Sequence, residues 1–311
     1  MADICLMVEG QEDLTWERWF QMADAAEALG FGGLFRSDHL TALSGVSGRQ
    51  ALALWPSLTA LAERTSRIRF GPLVCSITFR HPAMIAKMAA SVDQLANGRL
   101  DLGLGAGWHA REHQMFGINY PPFRERVDRL DEGAAVIRAL WSGERINRES
   151  PYYPLIEAEI HPIPAHQTLI MGGKGERTLT VVARHATEWN CSYASLEVFI
   201  DKSAALDEAC HVLGRDPAGI VRSFMIPFAI GDSDRMVQSH IEAHRDVFPD
   251  LPPDADGWKR AGFLVGSPAE IVDQISQRIE AGATRFMLQQ NALDDVDSVE
   301  RFASDVLPHV R

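Results

Sequence analysis

The chain has 311 residues, 46% of them hydrophobic and 23% charged, and its acids outnumber its bases to give a formal charge of −12. These values exclude a mini-protein and a disordered chain, and the acidic balance repels phosphate backbones and anionic lipid, so neither nucleic acid nor a membrane surface is an expected partner. No run approaches the roughly 20 apolar residues of a membrane helix. From the N-terminus, Met1-Ala2-Asp3-Ile4 carries an acid where a secretory leader carries bases, and the apolar stretch 4–8 is too short for a leader core, so a cytoplasmic protein is expected. Aliphatic or β-branched runs at 4–8, 33–36, 68–74, 100–104, 168–171, 188–191, 221–230 and 285–288 read as strands. Between them apolar residues recur at helical spacing: Trp16, Phe20, Ala23; Met84, Met88, Val92, Leu95; Val127, Leu130, Ala134, Ile137, Trp141; and Ala269, Val272, Ile275, Ile279. Gly30 closes the first helix, Asn97-Gly98 turns into the fourth strand, and Ser267-Pro268 opens a late helix with Glu270 in its first turn. Eight βα units predict one (β/α)8 TIM barrel over 1–311, with insertions after strands 2, 4 and 7, where 38–56, 141–166 and 248–262 exceed ordinary connections. Cys5, Cys75, Cys191 and Cys210 lie far apart without zinc-like spacing and read as core thiols.

In a barrel the carboxyl ends of the strands line the active face. Arg36-Ser37-Asp38-His39 follows the second strand. A histidine beside a carboxylate exchanges a proton near neutral pH, although Asp38 as a loop cap and His39 as a hydrogen-bonded bystander are the plain alternative. Gly103-Leu104-Gly105-Ala106-Gly107-Trp108-His109 follows the fourth strand. Its glycines let backbone approach a ligand and Trp108 offers an aromatic wall; the third glycine is misplaced for a dinucleotide fingerprint, and a bare turn is the alternative. Met171-Gly172-Gly173-Lys174-Gly175-Glu176-Arg177-Thr178 breaks a strand into glycines ahead of a helix, a concave anion site for one phosphate rather than a Walker A loop. Asn190-Cys191-Ser192-Tyr193 has hydroxyls that could reach the same phosphate or serve a bare turn. His109, Glu112 and His113 spell H-x-x-E-H, the inverted zinc-protease signature, but Gly117 and Pro121-Pro122 leave little helix to hold a metal, and a polar loop is the plainer reading; the predicted metal set is none.

Taken jointly, Leu102 to His109, Glu112-His113, Phe116-Gly117-Ile118, Phe123 to Arg126, Ser37-Asp38-His39, Thr78 to Pro82 and Gly172 to Leu179 resemble the bacterial luciferase-like oxidoreductases, and within them the branch using the deazaflavin coenzyme F420. The resemblance covers nearly the whole chain. It implies a (β/α)8 barrel with the cofactor ring in its mouth, backed by a bulge at Val74-Cys75-Ser76 that often contains a non-proline cis peptide. It further implies phosphate held by Gly172, Gly173, Lys174 and Gly175 with the Ser192-Tyr193 region, and Gly105, Ala106, Gly107 and Trp108 along the cofactor tail. Asp38 would touch the ring, and His39 would serve as acid or base beside the hydride path to a small-molecule substrate. The sugar-phosphate branch carries a glutamate directly after its Gly-x-Gly where this chain has Trp108, which counts against such a substrate and leaves Glu112 or His113 as weak stand-ins. A monooxygenase using flavin mononucleotide (FMN) is the alternative on the same fold, and a zinc hydrolase the alternative from another class. The family also implies a homodimer, for which stretches 55–64 and 122–141 offer apolar faces that equally fit the barrel wall.

Overall fold

Side chains alternate across a strand, and that period of two sorts this chain into an inner and an outer core. The computed structural model describes residues 2–43, 46–245 and 248–310. Its strands are β1 (Asp3–Val8), β2 (Gly33–Arg36), β3 (Arg69–Pro72), β4 (Cys75–Ser76), β5 (Leu102–Gly105), β6 (Ile146–Arg148), β7 (Leu155–Ala158), β8 (Leu169–Gly172), β9 (Glu188–Ser192), β10 (Val221–Ile230), β11 (Leu264–Gly266) and β12 (Arg285–Gln290). The parallel order β3-β2-β1-β12-β10-β9-β8-β5-β4 begins inside the predicted third strand, 68–74, and ends just past it at Cys75–Ser76. Phe70 N donates to Arg99 O and Asp101 N to Phe70 O (3.1 and 2.8 Å), joining the two edges. The result is the expected barrel of eight staves, closed by a broken third one and surrounded by helices.

Inside the barrel, Cys5, Met7, Phe35, Leu73, Ile170, Met225 and Met287 form an apolar plug. Their neighbours Ile4, Leu6, Val8, Leu34, Phe286 and Leu288 face outward into the larger core under the helices. Below the plug the inward positions carry Asp3, Glu188 and Arg285; above it they carry Glu9 and Gln289. The alternation thus stacks an ionic base, a dry middle and a polar crater along one axis.

Several expectations need correction. The Leu73–Val74 peptide is cis and interrupts the third strand, so the bulge begins one residue before Val74-Cys75-Ser76. The stretch 141–166 contains the antiparallel hairpin β6-β7, and 248–262 contains the helix Ala255–Arg260. Strand β11 was not expected: β10 is long enough to pair with β9 and β12 and then with β11 at Phe228 to Ile230. Two helical stripes are also rotated. Helix Trp16–Ala28 buries Trp19, Met22, Ala23 and Ala26, and helix Pro82–Leu95 buries Ile85, Ala86, Ala89 and Val92, leaving Trp16, Met84 and Leu95 exposed. Close packing on a sheet favours the alanine-rich face over the bulkier one. In the late helix Ile271 and Ile275 are buried while Ala269 is exposed. The stripe from Val127 to Trp141 is buried as expected, and so are the four free cysteines. The apolar residues Trp55, Leu58, Leu61 and Trp141 of the two stretches considered for a dimer face the core. Among the described residues no helix is long and apolar enough to cross a membrane.

Candidate active site

The polar residues above the plug converge from the ends of different strands. Behind β1, Glu9 accepts from Gln11 Nε2 (2.9 Å) and from Gln289 Nε2 (2.5 Å), and Gln289 also donates to the Tyr193 hydroxyl (2.6 Å). Ser37 donates to Gln11 Oε1 and accepts from Gly10 N (2.6 and 2.9 Å), tying the ends of β1 and β2 together. Beneath them the Arg36 guanidinium is wholly buried and donates to Ser57 Oγ and Leu52 O (both 2.7 Å); burial pulls it down to about 10, against the charges of Asp38 and Glu9. Glycine at position 10 leaves room for this guanidinium, since a Cβ would sit 2.2 Å from an Arg36 nitrogen and displace it.

Asp38 and His39 leave β2 side by side but acquire different partners. Arg80 grips Asp38 with both terminal nitrogens (2.5 and 3.1 Å), and Ser76 N donates to the same carboxylate (3.3 Å). Asp38 is therefore a fixed, charge-balanced group rather than a loop cap. His39 Nδ1 lies 2.8 Å from both carboxylate oxygens of Glu112, so Nδ1–H donates to Glu112. Its Nε2 makes no hydrogen bond among the described residues. Burial disfavours the imidazolium, yet the Glu112 hydrogen bond and the charges of Glu9, Glu112 and Asp38 outweigh it, and His39 titrates above the ordinary imidazole range. Trp108 stands edge-on to the His39 ring at 5.7 Å and is 65% exposed.

The glycine segments lie where the sequence puts them. Gly105 ends β5 against Val74, a Cβ there falling 2.5 Å from Val74 Cγ2; Ala106 and Gly107 continue along the rim. Val74 belongs to the inner cluster and Ser76 faces Asp38 and Gly107, whereas Cys75 is buried in the outer core, where burial raises its thiol well above the usual range. Cys75 Sγ nonetheless lies 3.9 Å from Arg80 Nη1, so all three of the predicted trio border the Asp38–Arg80 pair or the inner cluster. Gly172 ends β8 and Gly175 is the N-cap of helix Glu176–His185; a Cβ at either would make ordinary contact, 3.7 Å from Asn190 O and 4.0 Å from Thr178 Oγ1, so neither position is crowded. Gly173 has φ +126°. Lys174 does not project freely: Nζ donates to the carbonyls of Ser192 (2.9 Å) and Tyr193 (3.2 Å), pinning the β8 loop to the β9 loop. Tyr193, with φ +47°, turns its hydroxyl to Gln289 on the crater floor and not to the glycine cradle.

The zinc reading fails on geometry. His113 Nε2 meets Thr78 Oγ1 (2.7 Å) and its Nδ1 meets His109 O (2.8 Å), while Glu112 is taken by His39. The helix Ala110–Met115 has six residues, and no three His, Cys, Asp or Glu side chains among the described residues are grouped to hold a metal ion. Sequence reasoning missed Glu9 and Gln289, saw Arg80 only as part of the Thr78 to Pro82 motif, and gave Glu112 no partner. The first two were accessible through strand alternation, being the next inward positions after Cys5-Met7 and after Arg285-Met287.

Residues 4–263 match the family model of the luciferase-like monooxygenases, and the chain belongs to that family. It is 28% identical over 317 residues to an F420-dependent glucose-6-phosphate dehydrogenase of Amycolatopsis mediterranei, covering 94% of this chain and 93% of the relative. It is 27% identical to an F420-dependent hydroxymycolic acid dehydrogenase of Mycobacterium tuberculosis, covering 98% and 88%. Among solved structures it superposes on an F420-dependent secondary alcohol dehydrogenase in complex with an F420-acetone adduct at a TM-score of 0.86 and 20% identity, covering 100% and 99%.

Proposed function

We propose that this protein is an oxidoreductase that transfers a hydride between coenzyme F420 and a small organic substrate, with His39 handling the accompanying proton. The observation that carries this reading is His39 Nε2, which makes no hydrogen bond among the described residues, in a polar crater rimmed by glycine backbone. The site fits the cofactor: N–H groups at Gly172, Gly173 and Gly175, at the start of a ten-residue helix, suit a phosphate. Val74 and Ser76 would back the ring, and Gly105, Ala106 and Gly107 would run beside the tail. When bound, the deazaflavin supplies a carbon centre that takes or gives a hydride and does not readily activate oxygen. The protein's own work is to orient, to exclude water and to move one proton at Nε2. Asp38, held by Arg80, is a fixed, charge-balanced group beside that path.

The relatives named for this cofactor act on a sugar phosphate, a hydroxymycolic acid and, by the adduct, a small ketone, so the cofactor is the shared element and the substrate is not. Arg80 is spent on Asp38 and Lys174 on the carbonyls of Ser192 and Tyr193, which favours an uncharged alcohol or carbonyl compound over a phosphorylated one. Equilibrium dialysis of the cofactor-free protein against F420 and FMN tests the reading. Retention of F420 alone is expected; tight retention of FMN with no uptake of F420 overturns it. With the right substrate, His39→Ala should lower kcat about 10²–10⁴-fold and leave F420 affinity unchanged.

A further inference from the structure

We propose that Glu112 is a positioning residue that fixes His39 with Nδ1–H turned to the protein and Nε2 turned to the substrate. The inference rests on the role just proposed for His39. Glu112 is 0% exposed, so it reaches neither solvent nor a ligand in the crater. Its polar contacts are His39 Nδ1 at 2.8 Å to each oxygen, Leu40 N at 3.4 Å and His109 Nδ1 at 3.9 Å; no lysine or arginine reaches it among the described residues. A carboxylate taken out of water needs a hydrogen-bonded cation, and His39 is the nearest group able to become one. The same two residues therefore answer each other: the imidazole satisfies the buried acid, and the acid dictates which ring nitrogen carries the fixed proton.

The surroundings point the same way. His39 is faced by Glu112 and His109 from the loop after β5, by Glu9 from the end of β1, and by Asp38 from its own strand, whose charge is neutralised by Arg80. Among the described residues Glu112 is the one acid in hydrogen-bond contact with the ring. Trp108 and His109 stand edge-on at 5.7 and 6.3 Å and restrict rotation of the ring about the Nδ1–Glu112 axis. The titration of His39 above its ordinary range accords with this pairing. Below its midpoint Nε2–H is a donor to a developing alkoxide, and above it Nε2 is a lone-pair acceptor for a hydroxyl proton, so one held geometry serves either direction.

The test needs no substrate or cofactor. In the full-length, cofactor-free protein, nitrogen-15 spectra of the His39 ring, assigned by its loss in His39→Gln, should show the neutral form protonated at Nδ1; a neutral ring protonated at Nε2 in the unmutated protein overturns the proposal. Glu112→Gln, shown to be folded by circular dichroism, should bind the His39 proton about tenfold or more weakly, because a charge in contact is removed. An unchanged His39 titration in folded Glu112→Gln also overturns it. Failure of F420 to bind would sink the functional reading while leaving these spectra, and the Glu112–His39 pairing, as found.

Discussion

Gly107 has φ +75°, and a Cβ there would lie 2.6 Å from Thr78 Oγ1 and 2.7 Å from Ser76 Oγ. Those hydroxyls are 2.8 Å apart and continue to His113 Nε2, so a side chain at 107 would break a hydrogen-bonded chain under the rim. Gly117 has φ +65° with no atom within 4 Å of the same virtual Cβ. The pair separates backbone from overlap: Gly117→Ala should cost about 1–2 kcal/mol for the left-handed backbone alone. Gly107→Ala should cost that and about 1–3 kcal/mol more for the overlap. Equal urea midpoints for the two variants would refute the crowding argument. Residues of this kind explain what could be read in advance. Asp38, His39 and the glycines stand out because their chemistry is visible one residue at a time. Glu112 does not, because its partner lies 73 positions away, and a local motif drew it toward zinc.

Ser267 and Glu270 make a complete capping box on helix Pro268–Glu280: Ser267 Oγ accepts from Glu270 N (3.4 Å), and Ser267 N donates to Glu270 Oε2 (2.8 Å). Those backbone and side-chain hydrogen bonds from Ser267, with Lys259, hold the Glu270 carboxyl below its ordinary range. Ser267→Ala should lower stability by about 0.5–2 kcal/mol, read as a urea midpoint shift at constant m; no shift would mean that packing of Ile271 and Ile275 alone sets this end of the helix. Element starts of this sort are legible because the cap is local. Strand positions were legible too, since a stave buried on both faces reads as a continuous apolar run. The face of a helix is not settled by periodicity when two stripes compete. In Pro82–Leu95 both Met84-Met88-Val92-Leu95 and Ile85-Ala89-Val92 satisfy helical spacing and share Val92, and only the distance of closest approach to the sheet selects the second. The hairpin β6-β7 was hidden for a different reason: its strands have three and four residues and lie off the barrel, so no buried alternation marks them.

At the scale of the barrel, the crater depends on a base that keeps the staves in register. Arg285 Nη1 lies 3.0 Å from both Asp101 Oδ2 and Glu188 Oε2, joining β12 to the segment before β5 and to β9, and Arg69 Nε reaches Asp101 at 3.0 Å from β3. Burial works against the charge of Asp101, but the Arg69 hydrogen bonds and the charges of Arg285 and Arg69 prevail and keep its carboxyl below the ordinary range. Burial dominates at Glu188 and raises it despite Arg285. The signs follow. Asp101 stabilises the fold above its unfolded pKa of about 4, and that contribution is lost as the pH falls through its lower folded value. Glu188 carries a penalty when ionised, present above its raised folded value and relieved as it takes up a proton. Arg285→Met keeps the volume and removes the shared cation, leaving Glu188 without its counter-ion while Asp101 retains Arg69. The loss at pH 7 should be about 3–5 kcal/mol. It should shrink toward pH 5, because the variant recovers stability as Glu188 is neutralised, and adding Glu188→Gln should restore part of it at neutral pH. Urea unfolding of the three proteins at both pH values measures this. A deficit that is the same at pH 7 and pH 5, and that Glu188→Gln does not reduce, would mean that Arg285 acts by packing over Phe35, whose ring centre is 4.9 Å from the guanidinium carbon, rather than by charge.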